Sequence, residues 1–224
     1  MRKPVIAIDG YSSTGKSSIS KIIAKNLGLV HMDTGALYRG VTYYAINHCL
    51  DSAGNIDLPQ LLSKLNSITL EFRNVDGELE PFLDGQNISQ QIRGKDISAH
   101  VSFIACQREI RDFLMGTQRS IAAEGGVILD GRDIGTVVLP NADYKFFLTA
   151  SVEERTKRRF LELQKMGIEI TEEEVKTNLV TRDRIDSERD IAPLKKADDA
   201  ILIDNSNLTK RETIDLMLTY IKQF

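Results

Sequence analysis

Short apolar runs alternate along this chain with longer stretches whose apolar positions recur every three or four residues. "VIAIDG" (5–10), "LGLVHMD" (27–33), "GGVILDG" (125–131), "DYKFFLTA" (143–150) and "DAILIDNS" (199–206) are brief, rich in branched residues and bounded by turn formers. Strands buried on both faces have this pattern. Helical spacing follows the first run, and it returns in residues 34–50, where Leu37, Val41 and Tyr44 share a face. It is found again in 58–65, 152–166, 172–186 and 209–222. Strands interleaved with helices predict an α/β fold: a parallel sheet covered by helices on both faces.

One region breaks the alternation. Residues 67–89, "SITLEFRNVDGELEPFLDGQNIS", alternate Ile68, Leu70 and Phe72 with polar positions and carry Asp76-Gly77 and Asp84-Gly85, which is hairpin chemistry. An inserted antiparallel β-lobe is predicted, followed by one helix over 98–122 that buries Val101, Ile104, Ile110, Leu114 and Ile121. The expected organisation is a single domain, 1–224. Its core is 1–62, 105–150 and 190–224, its insert 63–104, and its lid a short helical segment at 151–189.

The first apolar run leads into a strong chemical signal. Gly10, Gly15, Lys16 and Ser17 fit G-x-x-x-x-G-K-S/T between a strand and a helix, the setting this phosphate-binding loop requires. The glycines let successive N–H groups face phosphate oxygens, and the helix start adds its positive dipole end. Lys16 is expected on the outer phosphates and Ser17 on Mg2+. The chain is thus expected to bind a nucleoside triphosphate.

Charge then decides how any second ligand is held. With 224 residues and a formal net charge of -3, the chain has no general attraction for nucleic acid or an anionic membrane, so anions must be met by local Arg and Lys. Cys49 and Cys106 show no metal or disulfide spacing and read as reduced thiols, while His31, His48 and His100 are scattered and receive no role. No apolar run approaches a membrane span, and "MRKPVIAIDG" enters a strand directly. A cytoplasmic monomer is expected.

Arginines gather at three further places. Asp33, Thr34 and Arg39 follow the second strand, and Asp130, Arg132 and Asp133 follow the strand at 125–131. Strand carboxyl ends are where α/β sheets bind ligands, although a capping aspartate or a surface arginine would leave the same trace. In "RDRIDSERD" (182–190), Arg184 and Glu188 suit an exposed i, i+4 pair, whereas Arg182, Asp186 and Arg189 form a stripe that could hold a phosphate and a sugar hydroxyl. Either a solvated face or a binding site fits that segment alone. Taken together, four arginines from distant segments suit a second anionic group beyond the triphosphate.

The ordered set "GYSSTGKSS", "DTGALYR", "LDGRDIGTVVLP" and "RDRIDSERDIAPL", with the β-insert and "EERTKRR", resembles the bacterial cytidylate kinase family over essentially the whole chain. The resemblance implies a nucleoside monophosphate kinase fold with a mobile lid, the insert serving as the monophosphate-binding subdomain. It also implies transfer of the γ-phosphoryl group of ATP to CMP or dCMP with Mg2+, within pyrimidine nucleotide metabolism. Carried over by position, Gly10, Tyr11, Ser12, Ser13, Thr14, Gly15, Lys16, Ser17 and Ser18 would hold ATP, with Arg155 and Arg158 at the root of the lid. Arg39, Arg132 and Arg189 would hold the acceptor phosphate, Asp186 the ribose, and Arg182 both; Ser102, Arg111 and Asp133 would read cytosine. Lys16, Arg132 and Arg158 would stabilise the phosphoryl group in flight. Thr34 stands where the family more commonly has serine, which keeps the hydroxyl. Asp130 suits either a water-mediated contact to Mg2+ or a structural cap. A kinase of the same fold acting on UMP, AMP or shikimate is the nearer alternative, opposed by the DGRD segment with Arg111 and Ser102. A nucleotide-hydrolysing switch is the farther one, and it would not need a second arginine-lined pocket.

Overall fold

The computed structural model describes residues 2–75 and 78–221. Strands β1 (Val5–Gly10), β2 (Val30–Asp33), β6 (Val127–Gly131), β7 (Tyr144–Thr149) and β8 (Ile201–Asp204) form one parallel sheet in the order β2-β6-β1-β7-β8. Period two sorts the strand β1: Val5 and Ala7 enter one apolar cluster, Ile6 and Ile8 the other. Helices α1 (Lys16–Leu27) and α8 (Lys210–Tyr220) cover the second face through Ile19, Ile23, Ile214 and Met217. Helix α2 (Gly35–His48) and two helices that follow the β-lobe cover the first through Leu37, Val41, Ile104 and Leu114. The expected sheet with two covered faces is therefore present. β1 lies where connections turn to opposite sides of the sheet, so its carboxyl end opens on a crevice.

The inserted lobe is a second sheet, β3 (Leu70–Val75), β4 (Glu78–Leu83) and β5 (Gln86–Asn87), paired antiparallel in that order. Asp84 and Gly85 both have positive φ, 48° and 83°, as the turn between β4 and β5 requires; Asp76-Gly77 lies outside the described residues. Leu70, Leu83, Ile88 and Ile92 of this region pack into the same cluster as α2. Gly40 permits that approach: a Cβ there would stand 2.8 Å from Leu70 Cδ1 and 3.2 Å from Ile88 Cδ1.

The single helix expected over 98–122 is two, α4 (Lys95–Ala105) and α5 (Arg108–Ala122). Gln107 is extended, with ψ 124°. The spacing explains the break. Six residues separate Ile104 from Ile110, which puts them on different faces of one continuous helix; interrupting the helix lets both reach the core, where each is fully buried. Helices α3 (Leu58–Lys64), α6 (Val152–Lys165) and α7 (Glu172–Glu188) complete the chain. α6 and α7 share a small cluster of Leu163, Val175 and Leu179. Asp57, Ser151, Thr171 and Thr209 each cap a helix by accepting the N–H three positions on. Among the described residues, no helix is long and apolar enough to cross a membrane.

Because the lobe shares its apolar cluster with α2, it should unfold with the sheet. Replacing the fully buried Ile88 by alanine should cost about 2–5 kcal/mol and shift one cooperative denaturant transition. An early separate transition with the main one unmoved would show an independent lobe.

Candidate functional site

The crevice beyond β1 is built first by backbone conformation. Gly10 has φ 146°, and a Cβ on it would lie 2.0 Å from the Leu148 carbonyl oxygen. Ser13 (φ 61°) and Gly15 (φ 89°) are left-handed, so the loop curls and its carbonyls turn outward. Side chains hold those carbonyls: Lys16 Nζ donates to Tyr11 O at 2.6 Å, Arg155 Nη1 to Ser12 O at 3.3 Å, and Asn205 Nδ2 to Thr14 O at 2.9 Å. Gly15, at the N-cap of α1, offers no side-chain cap to the helix start. A concave set of backbone N–H groups at an uncapped helix start, with a buried lysine beside it, suits a phosphate chain. Burial first, and then the nearby Arg132 charge, push the Lys16 ammonium well below its ordinary range, as expected of a cation awaiting an anion. Ser17 and Ser18 lie in the first turn of α1, and Ser18 Oγ donates to Gly15 O at 3.0 Å.

One carboxylate fastens this loop to the next. Asp9, 4% exposed, accepts from the N–H groups of Ile134 (2.8 Å) and Gly135 (2.7 Å), which open a π-helical turn, Ile134–Val138. Arg132 and Asp133 lie directly before that turn. Arg132 bridges the crevice: its Nη2 donates to Ser12 Oγ at 2.7 Å, and its Nε to Asp186 Oδ2 at 2.9 Å. Asp133 is buried against Arg111, with Arg189 Nη2 at 3.5 Å from its other oxygen. Arg111 and Arg189 also share the Ala105 carbonyl, at 3.2 and 3.4 Å. Ser102 is buried one helical turn before Ala105, and the Tyr38 ring lies under the Arg111 guanidinium, 5.4 Å from its centroid.

The arginine-rich segment is only partly the helical stripe its spacing suggests. Arg182 and Asp186 lie on α7, but Arg189 is its C-cap, with ψ 140°. It turns away to bond Ala192 O, through Nε at 2.9 Å and Nη2 at 2.6 Å. Asp186 and Arg189 are buried, which excludes the solvated-face alternative for them. Arg184 and Glu188 are not joined by an ion pair among the described residues. Arg182 carries no ion pair there either, and its buried Nε lacks a hydrogen-bond partner. Burial and then the Arg132 charge push it down to about 10, Arg39 and Arg159 adding to the effect against Asp186. Arg39 is held by Asp33 at 2.7 Å.

Next to the phosphate loop, Arg155 pairs with Asp183 at 2.6 Å and lies over the Tyr11 ring, while Arg158 donates to Glu154 and to Asn205. Asp130 is no helix cap. Its Oδ1 meets His31 Nε2 at 2.6 Å, and its main-chain oxygen takes the Thr34 hydroxyl at 2.8 Å. Burial and the Asp33 charge raise the Asp130 carboxyl. Burial opposes a charged His31, but the Asp130 hydrogen bond together with the Asp130 and Asp33 charges outweighs it and raises the imidazole.

Sequence reasoning thus missed Asp9, His31, Asp183, Asn205 and Arg159, the last of which reaches from α6 to Ser98 Oγ on α4 at 3.3 Å. Two of them, Asp9 and Asn205, sit at or just past strand carboxyl ends, a signal that is legible but unspecific.

The model of the cytidylate kinase family matches residues 6–223. A cytidylate kinase of Flavobacterium johnsoniae is 46% identical over 223 residues, covering 99% of this chain and 97% of that protein. One from Bacillus cytotoxicus is 42% identical over 218 residues, covering 97% and 96%. In fold alone, the chain is similar to the crystal structure of an uncharacterized protein from Eubacterium ventriosum, with a TM-score of 0.50 at 15% identity over 98% of both chains.

The Asp9 clamp has a measurable signature. Burial raises its carboxyl from 3.8 to about 6 against its two backbone hydrogen bonds, so folding takes up a proton between these values. Asp9's contribution to stability is full below about pH 4 and lost as pH rises through 6, a change of ~3 kcal/mol. The stability difference between the parent protein and Asp9→Asn should therefore be larger at pH 4 than at pH 7. Equal differences in denaturant unfolding at the two pH values would contradict the clamp's burial.

Proposed function

The chain belongs to the cytidylate kinase family, and we infer that it transfers the γ-phosphoryl group of ATP to CMP or dCMP, giving ADP and CDP or dCDP. The observation that carries this reading is Arg132, whose guanidinium spans from Ser12 in the phosphate loop to Asp186, near Arg182, whose buried Nε has no hydrogen-bond partner among the described residues. One cation thus lies between a place for a donor triphosphate and a place for an acceptor phosphate.

We assign the donor to residues 10–18 with Arg155 and Arg158, and the acceptor phosphate to Arg39, Arg132, Arg182 and Arg189. Buried and half-buried cations in excess of the aspartates paired with them support that assignment, since withdrawing a charge from water is costly until an anion joins it. Asp133 and Arg111, with Ser102 nearby, are assigned to cytosine; amine, ring nitrogen and carbonyl need one acceptor and donors, which this pair supplies. Asp186 is assigned to the ribose, sharing its carboxylate with Arg132.

Phosphoryl transfer needs positioning and charge neutralisation more than covalent chemistry. Lys16, Arg132 and Arg158 are the cations we assign to the moving group, and no general base is required. Mg2+ fits the donor chemistry here. Ser17 offers one hydroxyl, and the Asp33 and Asp130 carboxylates lie close enough for their charges to act on Lys16, few ligands for an ion that keeps its waters. Bound there, it would neutralise charge on the donor phosphates. The His31 bond leaves Asp130 one oxygen free to meet such a water. We also propose that the segments at 63–104 and 151–189 close over the two nucleotides, keeping water from taking the phosphoryl group.

ADP formation should require CMP or dCMP and should be slow with UMP, AMP or shikimate in their place. Turnover without any acceptor would instead indicate a hydrolysing switch.

Arg182 separates binding from stability. Arg182→Ala removes a half-buried cation that has no ion pair among the described residues, so the thermal midpoint should hold or rise. Meanwhile kcat/KM for CMP should fall at least about ten-fold, as expected for a lost charged hydrogen bond. A lowered midpoint with unchanged kinetics on CMP would make Arg182 structural.

A further inference from the structure

We propose that Asn205 is a positioning residue for the donor site: through one side-chain amide it fixes both the Thr14–Gly15 peptide plane of the phosphate loop and the guanidinium of Arg158. Asn205 follows β8, is 2% exposed, and is itself fixed by donating its N–H to Thr149 O at 2.9 Å. Its Nδ2 donates to the Thr14 carbonyl at 2.9 Å, while its Oδ1 accepts from Arg158 Nη1 at 3.1 Å and its main-chain oxygen from Arg158 Nη2 at 2.9 Å.

The consequence follows from peptide geometry. In a trans peptide the C=O and the next N–H point in opposite directions. Drawing the Thr14 oxygen toward Asn205 therefore turns the Gly15 N–H to the other side, into the concave face of the loop. Gly15 permits this plane with its φ of 89°, but permission is not selection, because glycine leaves other orientations open. The carbonyls of Tyr11 and Ser12 have their own donors in Lys16 and Arg155. The Thr14 hydroxyl donates to Tyr11 O at 3.0 Å, which ties the side chain but not the carbonyl; among the described residues the other donor to the Thr14 carbonyl is Arg158 Nη1, at the long distance of 3.5 Å.

Only a group with one donor and one acceptor edge meets both demands, since Thr14 O can only accept and Arg158 can only donate. A carboxylate keeps Arg158 and repels Thr14 O; a methyl loses both. Asn205 also joins the last strand of the sheet to the loop after the first, and both to the root of the lid.

The inference rests on the reading that this loop holds the donor's triphosphate, and inorganic tripolyphosphate probes the cradle without a base. Calorimetry would compare tripolyphosphate, ATP and CMP binding to the parent protein, Asn205→Ala and Asn205→Asp, with thermal midpoints recorded beside them. Asn205→Ala should weaken tripolyphosphate and ATP alike, by about five- to ten-fold, and leave CMP unchanged. Asn205→Asp should weaken them at least as much, and it decides the matter if the alanine variant does not fold. The proposal is overturned if Asn205→Asp binds tripolyphosphate like the parent, if ATP weakens while tripolyphosphate does not, or if CMP weakens equally. A parent protein that fails to bind tripolyphosphate would overturn the donor-site reading and this inference with it.

Discussion

The buried Asp9 carboxylate sets the distance on which the site depends. It ends the central strand beside the phosphate loop, and each of its oxygens holds one backbone N–H of the turn that follows Arg132 and Asp133. Two loops that leave adjacent strands are thereby fixed to one another through one buried side chain that takes two main-chain N–H groups. Because each carboxylate oxygen is engaged, a change of the Asp9 rotamer would break both hydrogen bonds. Arg132 can then reach the loop hydroxyl of Ser12 with one nitrogen and Asp186 with another.

Charge is distributed around that frame in unequal amounts. Asp33 holds Arg39, Asp133 holds Arg111 and Arg189, Asp183 holds Arg155, and Asp186 holds Arg132. Each aspartate keeps an arginine in a set direction while lowering the cost of burying it. Arg182 has no such ion pair among the described residues, and burial with the charges of Arg132, Arg39 and Arg159 lowers its pKa against the opposing charge of Asp186. On the proposed assignment, a phosphate in this pocket would meet that excess of positive charge, and affinity and orientation would come from the same groups. At the phosphate loop, Lys16, Arg155 and Asn205 tie back the carbonyls of Tyr11, Ser12 and Thr14.

Much of this was legible in the sequence where chemistry is local. The phosphate loop is written in eight consecutive residues, Gly10 to Ser17, the sheet in short apolar runs, and the β-lobe in alternation with Asp-Gly turns. The arginines were legible as a set, because several guanidinium groups at strand ends and in one charged segment exceed what a solvated surface needs. The break at Gln107 was not, since apolar residues on either side of it satisfy a helical period separately. Nor were Asp9 and Asn205, whose partners lie 125 and 191 positions away; only the topology of the sheet brings them together. His31 looked like a lone histidine for the same reason, its aspartate being on the neighbouring strand.

The central claim is that the acceptor pocket is organised around a missing phosphate charge, and thermal unfolding with CMP and with cytidine tests it most directly. At the same millimolar concentration CMP should raise the midpoint markedly, as a ligand bound only by the folded state does, while cytidine, which carries the same base and sugar without the anion, should leave it nearly unchanged. Equal stabilisation by both, or none by CMP, would contradict the account.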